Sequence, residues 1–180
     1  MIFTFFKKTL PILGIFIFST TAGAKEMKQA PIDTIFEQGE PNPYGKFFTG
    51  QTYLNMLSAK DGIFNAPIGN VTFEPGARTN WHKHSGGQIL LVLGGEGRYQ
   101  ERGEEIQILH KGDVVRIPPQ AEHWHGAAPD SWFTHISVET NVPDNQTTWL
   151  EPVNETHISN LKILPVSYTH LRAHETLSDL

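Results

Sequence analysis

The chain has 180 residues, a formal net charge of −5 and no cysteine. The absence of thiols excludes disulfides, thiolate catalysis and cysteine-rich structural zinc sites. With 14 basic against 19 acidic residues and no basic cluster, the chain is a poor candidate for binding nucleic acid.

In chain order, residues 1–24 read as a secretory signal. Lys7 and Lys8 precede an apolar run over 10–18, and Ala22-Gly23-Ala24 supplies small residues for cleavage. The run is shorter than the roughly 20 residues a bilayer span needs. Export to a periplasm or out of the cell is predicted, with no membrane attachment after cleavage. Residues 25–50 are broken by Pro31, Pro41 and Pro43. They predict an extended arm that pairs at a sheet edge or with a second subunit.

Residues 51–153 read as short β-runs at 52–57, 70–74, 88–93, 97–100, 106–109, 114–117, 123–126 and 133–139. Between them fall turn pairs such as Pro75-Gly76, Gly94-Gly95 and Lys111-Gly112. Many short strands punctuated by Gly and Pro predict an all-β jelly-roll barrel. In the run 88–93, Gln88, Leu90 and Val92 share one face, and Ile89, Leu91 and Leu93 the other. A strand apolar on both faces predicts that its outer side is covered by another sheet or a second subunit, which favours a homodimer. A short helix is suggested at 155–161, within a C-terminal segment 154–165. From residue 166 the run Ser167-Tyr168-Thr169-His170-Leu171-Arg172-Ala173-His174 resembles a translated sequencing-library adapter. Residues 166–180 are therefore expected to be a non-native tail, and His170 and His174 are set aside as ligands.

The chemistry concentrates in the middle. His82 and His84 are two residues apart, so on a strand both imidazoles point to one face. Gln88 follows the turn Ser85-Gly86-Gly87, and His123 follows a second glycine-led run that begins at Gly112. Three imidazoles and one amide oxygen on neighbouring strands would make a partial coordination sphere with open positions. Period two places His125 on the face of His123, and His135 with Ser137 and Glu139 on one face of 133–139. If that face is the barrel interior, His135 is a candidate general base. Trp81 and Trp124 should face away from the ligands, with packing between sheets or across a dimer the expected role and a pocket lid the alternative.

The patterns Gly76-x5-His82-x-His84-x3-Gln88-x6-Gly95 and Gly112-x5-Pro118-x4-His123 resemble the two motifs of the cupin family, over roughly residues 52–152. The resemblance implies a double-stranded β-helix barrel holding one divalent metal ion. Three positions depart from the family pattern: Gln88 stands for the usual glutamate, Gln120 for a glycine and Ala127 for an asparagine. A neutral amide in place of a carboxylate leaves more of the ion's charge uncompensated, which favours Lewis-acid chemistry on an oxygen substituent.

The stretches 71–79 and 123–129 are similar to the bacterial cupin-type hydroxynitrile lyases. That similarity implies His82, His84, Gln88 and His123 as ligands and manganese as the favoured ion, with iron, zinc, cobalt and nickel left open. It implies His135 as proton acceptor and Thr79 as a hydroxyl touching the substrate oxygen; period two adds His125 as a further catalytic candidate, or as a residue that only orients a ligand. Glu139 stands where those lyases carry glutamine. The implied activity is carbon–carbon lyase chemistry on a small hydroxylated or carbonyl compound. A cupin dioxygenase or other oxidoreductase, and a non-enzymatic small-molecule or metal-binding module, are the alternatives.

Overall fold

A computed structural model describes residues 30–61 and 63–154. The signal read at 1–24, the helix suggested at 155–161 and the tail from 166 lie outside the described residues. Apart from one 3-10 turn at Gly45–Phe47, the regular structure among the described residues is all strand. In order these are β1 (Glu40–Pro41), β2 (Phe48–Thr49), β3 (Thr52–Ser58), β4 (Ile68–Phe73), β5 (Arg78–Thr79) and β6 (His82–His84). Next come β7 (Gln88–Glu101), β8 (Gln107–His110), β9 (Val114–Ile117), β10 (His123–Ala127), β11 (Phe133–Glu139) and β12 (Thr147–Trp149).

The pairing is antiparallel and follows the path β1-β3-β4-β11-β7-β10-β5-β2, with β8 and β9 also on β7, and β6 on β10 and β12. A long curled antiparallel sheet of this kind is a jelly-roll barrel.

Strand β7 organises the barrel. Its first half pairs with β11 and β9, its second half with β8 and β10. The sequence suggests a turn at Gly94-Gly95, dividing this region into two strands; the structure shows one strand of 14 residues that bends there. Gly95 has φ 74°, and a Cβ at that position would run into the Trp132 carbonyl. The glycine pair therefore lets one strand pass from one sheet to the other instead of ending it.

The interior fills from alternate positions. Phe73 of β4, Leu90 of β7 and Phe133 of β11 are fully buried, and Val92, Tyr99, Val115 and Ile117 join them in one cluster. Burial along the start of β7 alternates as the two-face reading predicts: Gln88, Leu90 and Val92 are inside. Its outer face is only partly covered within one chain, with Leu91 exposed. Trp81, Trp124 and Val153 make a second, smaller cluster on the far side of β6 and β10, with the Arg102 guanidinium 4.3 Å over the Trp81 ring. At the amino-terminal side, β1 pairs with the edge of β3, Glu40 opposite Leu54.

Candidate metal centre

The site forms where short β6 meets β10. Burial along β6 alternates, with His82 and His84 inside and Lys83 half-buried between them. His123 lies directly opposite His82 across the strand pair, and their ring centroids are 4.1 Å apart. The glycine turn after His84, with Gly87 at φ 82°, returns the chain so that Gln88 opens β7 with its side chain buried. Thus two local motifs and one long-range pairing place all four sequence-predicted donors in one interior region.

Each ring is oriented by its rear nitrogen. His82 Nδ1 lies 3.0 Å from the Asn80 carbonyl, and His123 Nδ1 lies 2.9 Å from the Ala121 carbonyl. A carbonyl can only accept, so both Nδ1 atoms carry the proton and both Nε2 atoms present a lone pair. His84 Nδ1 lies 3.1 Å from the Thr147 hydroxyl. Gln88 donates its Nε2 to Ser137 Oγ at 2.8 Å, which turns Oε1 the other way. His84 Nε2, His123 Nε2 and Gln88 Oε1 are then buried with no hydrogen-bond partner. His123 Nε2 and Gln88 Oε1 are acceptors, and leaving such an atom without a partner costs about 1–3 kcal/mol. A divalent cation would satisfy all of them, so the donor set fits one.

The grouping of histidines among the described residues differs from the predicted set: it takes in His125 and leaves out His84. Ligand atoms of His82, His123 and His125 all lie within 4.8 Å of one another, a grouping that could hold a metal ion. The His84 ring is 5.2 Å from His82 and 5.7 Å from His123. His125 is fixed by its backbone N–H, which donates to Thr79 Oγ1 at 3.2 Å, and its Nδ1 is buried without a partner. The Thr79 hydroxyl accepts that bond, so its own hydrogen is free to donate elsewhere. Period-two spacing brings His125 to the face of His123; its closeness to His82 depends on the cross-strand register.

His135 lies at a register shift in β11, between Thr134 and His135, where the strand re-aims its side chain. It is fully buried, its ring 4.8 Å from His125 and 5.6 Å from Phe73, and neither ring nitrogen has a hydrogen-bond partner. Burial is the main force on every imidazole here. It holds His84, His123 and His135 down to about 4 and keeps His82 and His125 well below the usual histidine range. Neighbouring imidazoles add to the effect at His82, His84 and His125. All five are neutral near pH 7, the form that binds a metal or accepts a proton.

A cavity of about 430 Å³ is lined by His82, His84, Gln88, His125 and His135, while His123 lies behind its wall. Phe48, Leu54, Met56, Val71 and Trp149 make apolar walls, and Thr79, Ser137 and Glu139 bring polar atoms. Glu139 is half-buried; burial raises its pKa while the Lys60 ammonium opposes the rise. The volume suits a small molecule with one polar end.

A cupin domain model matches residues 69–135, which span β4 to the start of β11 and include His82, His84, Gln88, His123, His125 and His135. The (R)-mandelonitrile lyase of Granulicella tundricola is 42% identical over 110 residues, covering 61% of this chain and 83% of that protein. The chain belongs to the cupin family. A cupin-like protein of known structure from Thermotoga maritima is 51% identical, with a TM-score of 0.66, covering 69% of this chain and 93% of that one. A cupin 2 conserved barrel domain protein from Rhodopseudomonas palustris shares the fold at 20% identity and a TM-score of 0.52, over 61% of this chain and 74% of that one.

One departure of this cupin from its family's pattern has a visible physical side. Gln120, standing where a glycine is usual, has φ 66°, in the left-handed region. Thr147 and Trp149, which contact the His84 and His82 rings, lie past the matched residues and carry no sequence signal of their own. The tilted contact of the Trp149 and His82 rings, 4.8 Å between centroids, follows from β12 pairing with β6, a contact between segments more than 60 residues apart.

Proposed function

We propose that this cupin is an exported, metal-dependent carbon–carbon lyase acting on a small hydroxylated or carbonyl compound, with cyanohydrins as the concrete class. The observation that carries the reading is the buried, unpartnered atoms His84 Nε2 and Gln88 Oε1 on a largely apolar cavity that His135 also lines. The 42% identity to an (R)-mandelonitrile lyase supports the substrate class. His82, His84, Gln88 and His123 are the proposed ligands, with His125 next to them and manganese the favoured ion. When bound, the ion would supply Lewis-acid polarisation of a substrate oxygen.

The chain's own residues account for the rest. The apolar walls bind the organic part of the substrate and exclude water. The Thr79 hydroxyl, already an acceptor for the His125 N–H, donates to the substrate oxygen. His135, neutral and fully buried, takes the hydroxyl proton of the cyanohydrin on its unprotonated ring nitrogen. The carbon–carbon bond breaks, its electron pair leaves with cyanide, and the carbonyl forms. Protonated His135 then returns its proton to cyanide, giving hydrogen cyanide and the neutral imidazole.

The test is aldehyde release from mandelonitrile by the manganese-loaded protein. Wild type should turn over, and His135→Ala should lose at least 100-fold in kcat, the usual share of a general base, while keeping its metal. Full activity in that variant removes the proposed base, and inactivity of wild type on a panel of cyanohydrins removes the substrate class. Location outside the cytoplasm and a homodimer belong to the same proposal. Leu91 and Val114, paired across β7 and β9 and 38% and 58% exposed, support the dimer. Cell fractionation and light scattering check both, and a cytoplasmic monomer would contradict them.

A further inference from the structure

Segment 140–149 wraps the hairpin that carries three of the four proposed ligands. Ser85 N–H donates to the Gln146 carbonyl at 3.0 Å, and Gln146 N–H donates to Ser85 Oγ at 2.9 Å. Asn145 takes the Gly86 N–H on its Oδ1 at 2.9 Å and donates its Nδ2 to the Gly87 and Thr140 carbonyls at 2.7 and 2.9 Å. Thr140 Oγ1 and Asn141 Nδ2 both donate to the Gly86 carbonyl at 2.8 Å. A side chain on Gly86 would collide with the Thr140 carbonyl and the Asn145 side chain. Strand β12 then pairs residue for residue with β6, Thr147 opposite His84 and Trp149 opposite His82.

We infer that segment 140–149 is a clasp that sets the affinity of the ion site, with Thr147 as the positioning residue for His84. The inference rests on the ligand reading proposed above. It follows from the contrast among the three rings. His82 and His123 are each held by a backbone carbonyl, which only accepts and so admits a single tautomer. His84 faces a hydroxyl, which can donate or accept. An ion on His84 Nε2 requires the proton on Nδ1, so Thr147 must accept. Without that oxygen the buried Nδ1–H has nothing to meet, and the tautomer with a bare Nε2 is no longer favoured.

The clasp lies beyond residue 135, where the cupin domain match ends, and so is supplied by the chain outside the matched region. It also accounts for Asn145-Gln146-Thr147, which has the form of a glycosylation acceptor. The Asn145 amide is committed to three backbone groups and is not a free surface side chain.

The experiment is calorimetric titration of the metal-free full chain with manganese(II) and, separately, zinc(II), in wild type, Thr147→Val and Thr147→Ser. Thr147→Val should bind each ion about 10–100-fold more weakly, the usual loss when a ligand's hydrogen-bond partner is removed. Thr147→Ser keeps the hydroxyl and should return most of the affinity. Nitrogen-15 spectra of the zinc form should show a His84 Nδ1–H in wild type and serine variants. Should the valine variant fail to fold, Thr147→Ala carries the same expectation. Wild-type affinity in the valine or alanine variant overturns the clasp alone. A wild type that binds neither ion overturns the ligand reading, and the clasp with it.

Discussion

Acid should unfold the metal-free protein well above the pH at which its carboxylates titrate. Five imidazoles, His82, His84, His123, His125 and His135, are buried and held below their ordinary range by desolvation. In the unfolded chain each returns to a pKa of about 6.5. The folded pKa is the depressed one, so the unfolded state binds more protons between about pH 6.5 and pH 4. Stability is then fully present above 6.5 and is lost as pH falls towards the folded values. At pH 5.5 each histidine favours unfolding by about 1.4 kcal/mol, and five together by about 7 kcal/mol, against a total of roughly 5–15 kcal/mol for a typical domain. Urea unfolding of chelator-treated protein, followed by tryptophan fluorescence at pH 7.5 and 5.5, measures the difference. A midpoint that moves by less than one histidine's share would refute the reasoning, because it would mean that the rings protonate inside the fold. Removing one ring by His135→Leu should reduce the pH slope by about one proton.

Other outcomes follow from packing and backbone geometry. Gly97→Ala would place a methyl inside the van der Waals surface of the Phe133 ring, at the point where β7 crosses between sheets. A loss of about 1–3 kcal/mol is expected in chemical denaturation. Gln120→Gly should do the reverse. Gln120 holds φ 66°, a region that costs a residue with a side chain about 1–2 kcal/mol, so glycine should raise the unfolding midpoint. Leu90→Ala empties a fully buried position at the middle of the core and should cost about 2–5 kcal/mol, read as a lower thermal midpoint.

The parts legible in the sequence were those set by local period. His82-x-His84 specifies a shared face as soon as the segment is a strand, and the alternation of Gln88, Leu90 and Val92 specifies which side of β7 is interior. The Gly94-Gly95 pair was ambiguous for a physical reason. The same freedom at φ > 0 that makes a turn also makes a bend in a continuous strand, and only the pairing of both halves decides between them. Strands β5 and β12, with two and three residues, are too short to show any periodicity. The closeness of His125 to His82, the hydroxyl behind His84 and the Asn145 clasp all depend on contacts across more than 40 residues of chain. No window of sequence contains both partners.

The central claim is a divalent ion held by His82, His84, Gln88 and His123. Elemental analysis of the purified protein, beside His82→Ala, His123→Ala and the surface control Val114→Ala, tests it most directly. The account predicts about one equivalent of metal in wild type and in the control, and a loss in both histidine variants. Undiminished metal in His82→Ala and His123→Ala, or a wild type that takes up no divalent ion at all, would contradict it.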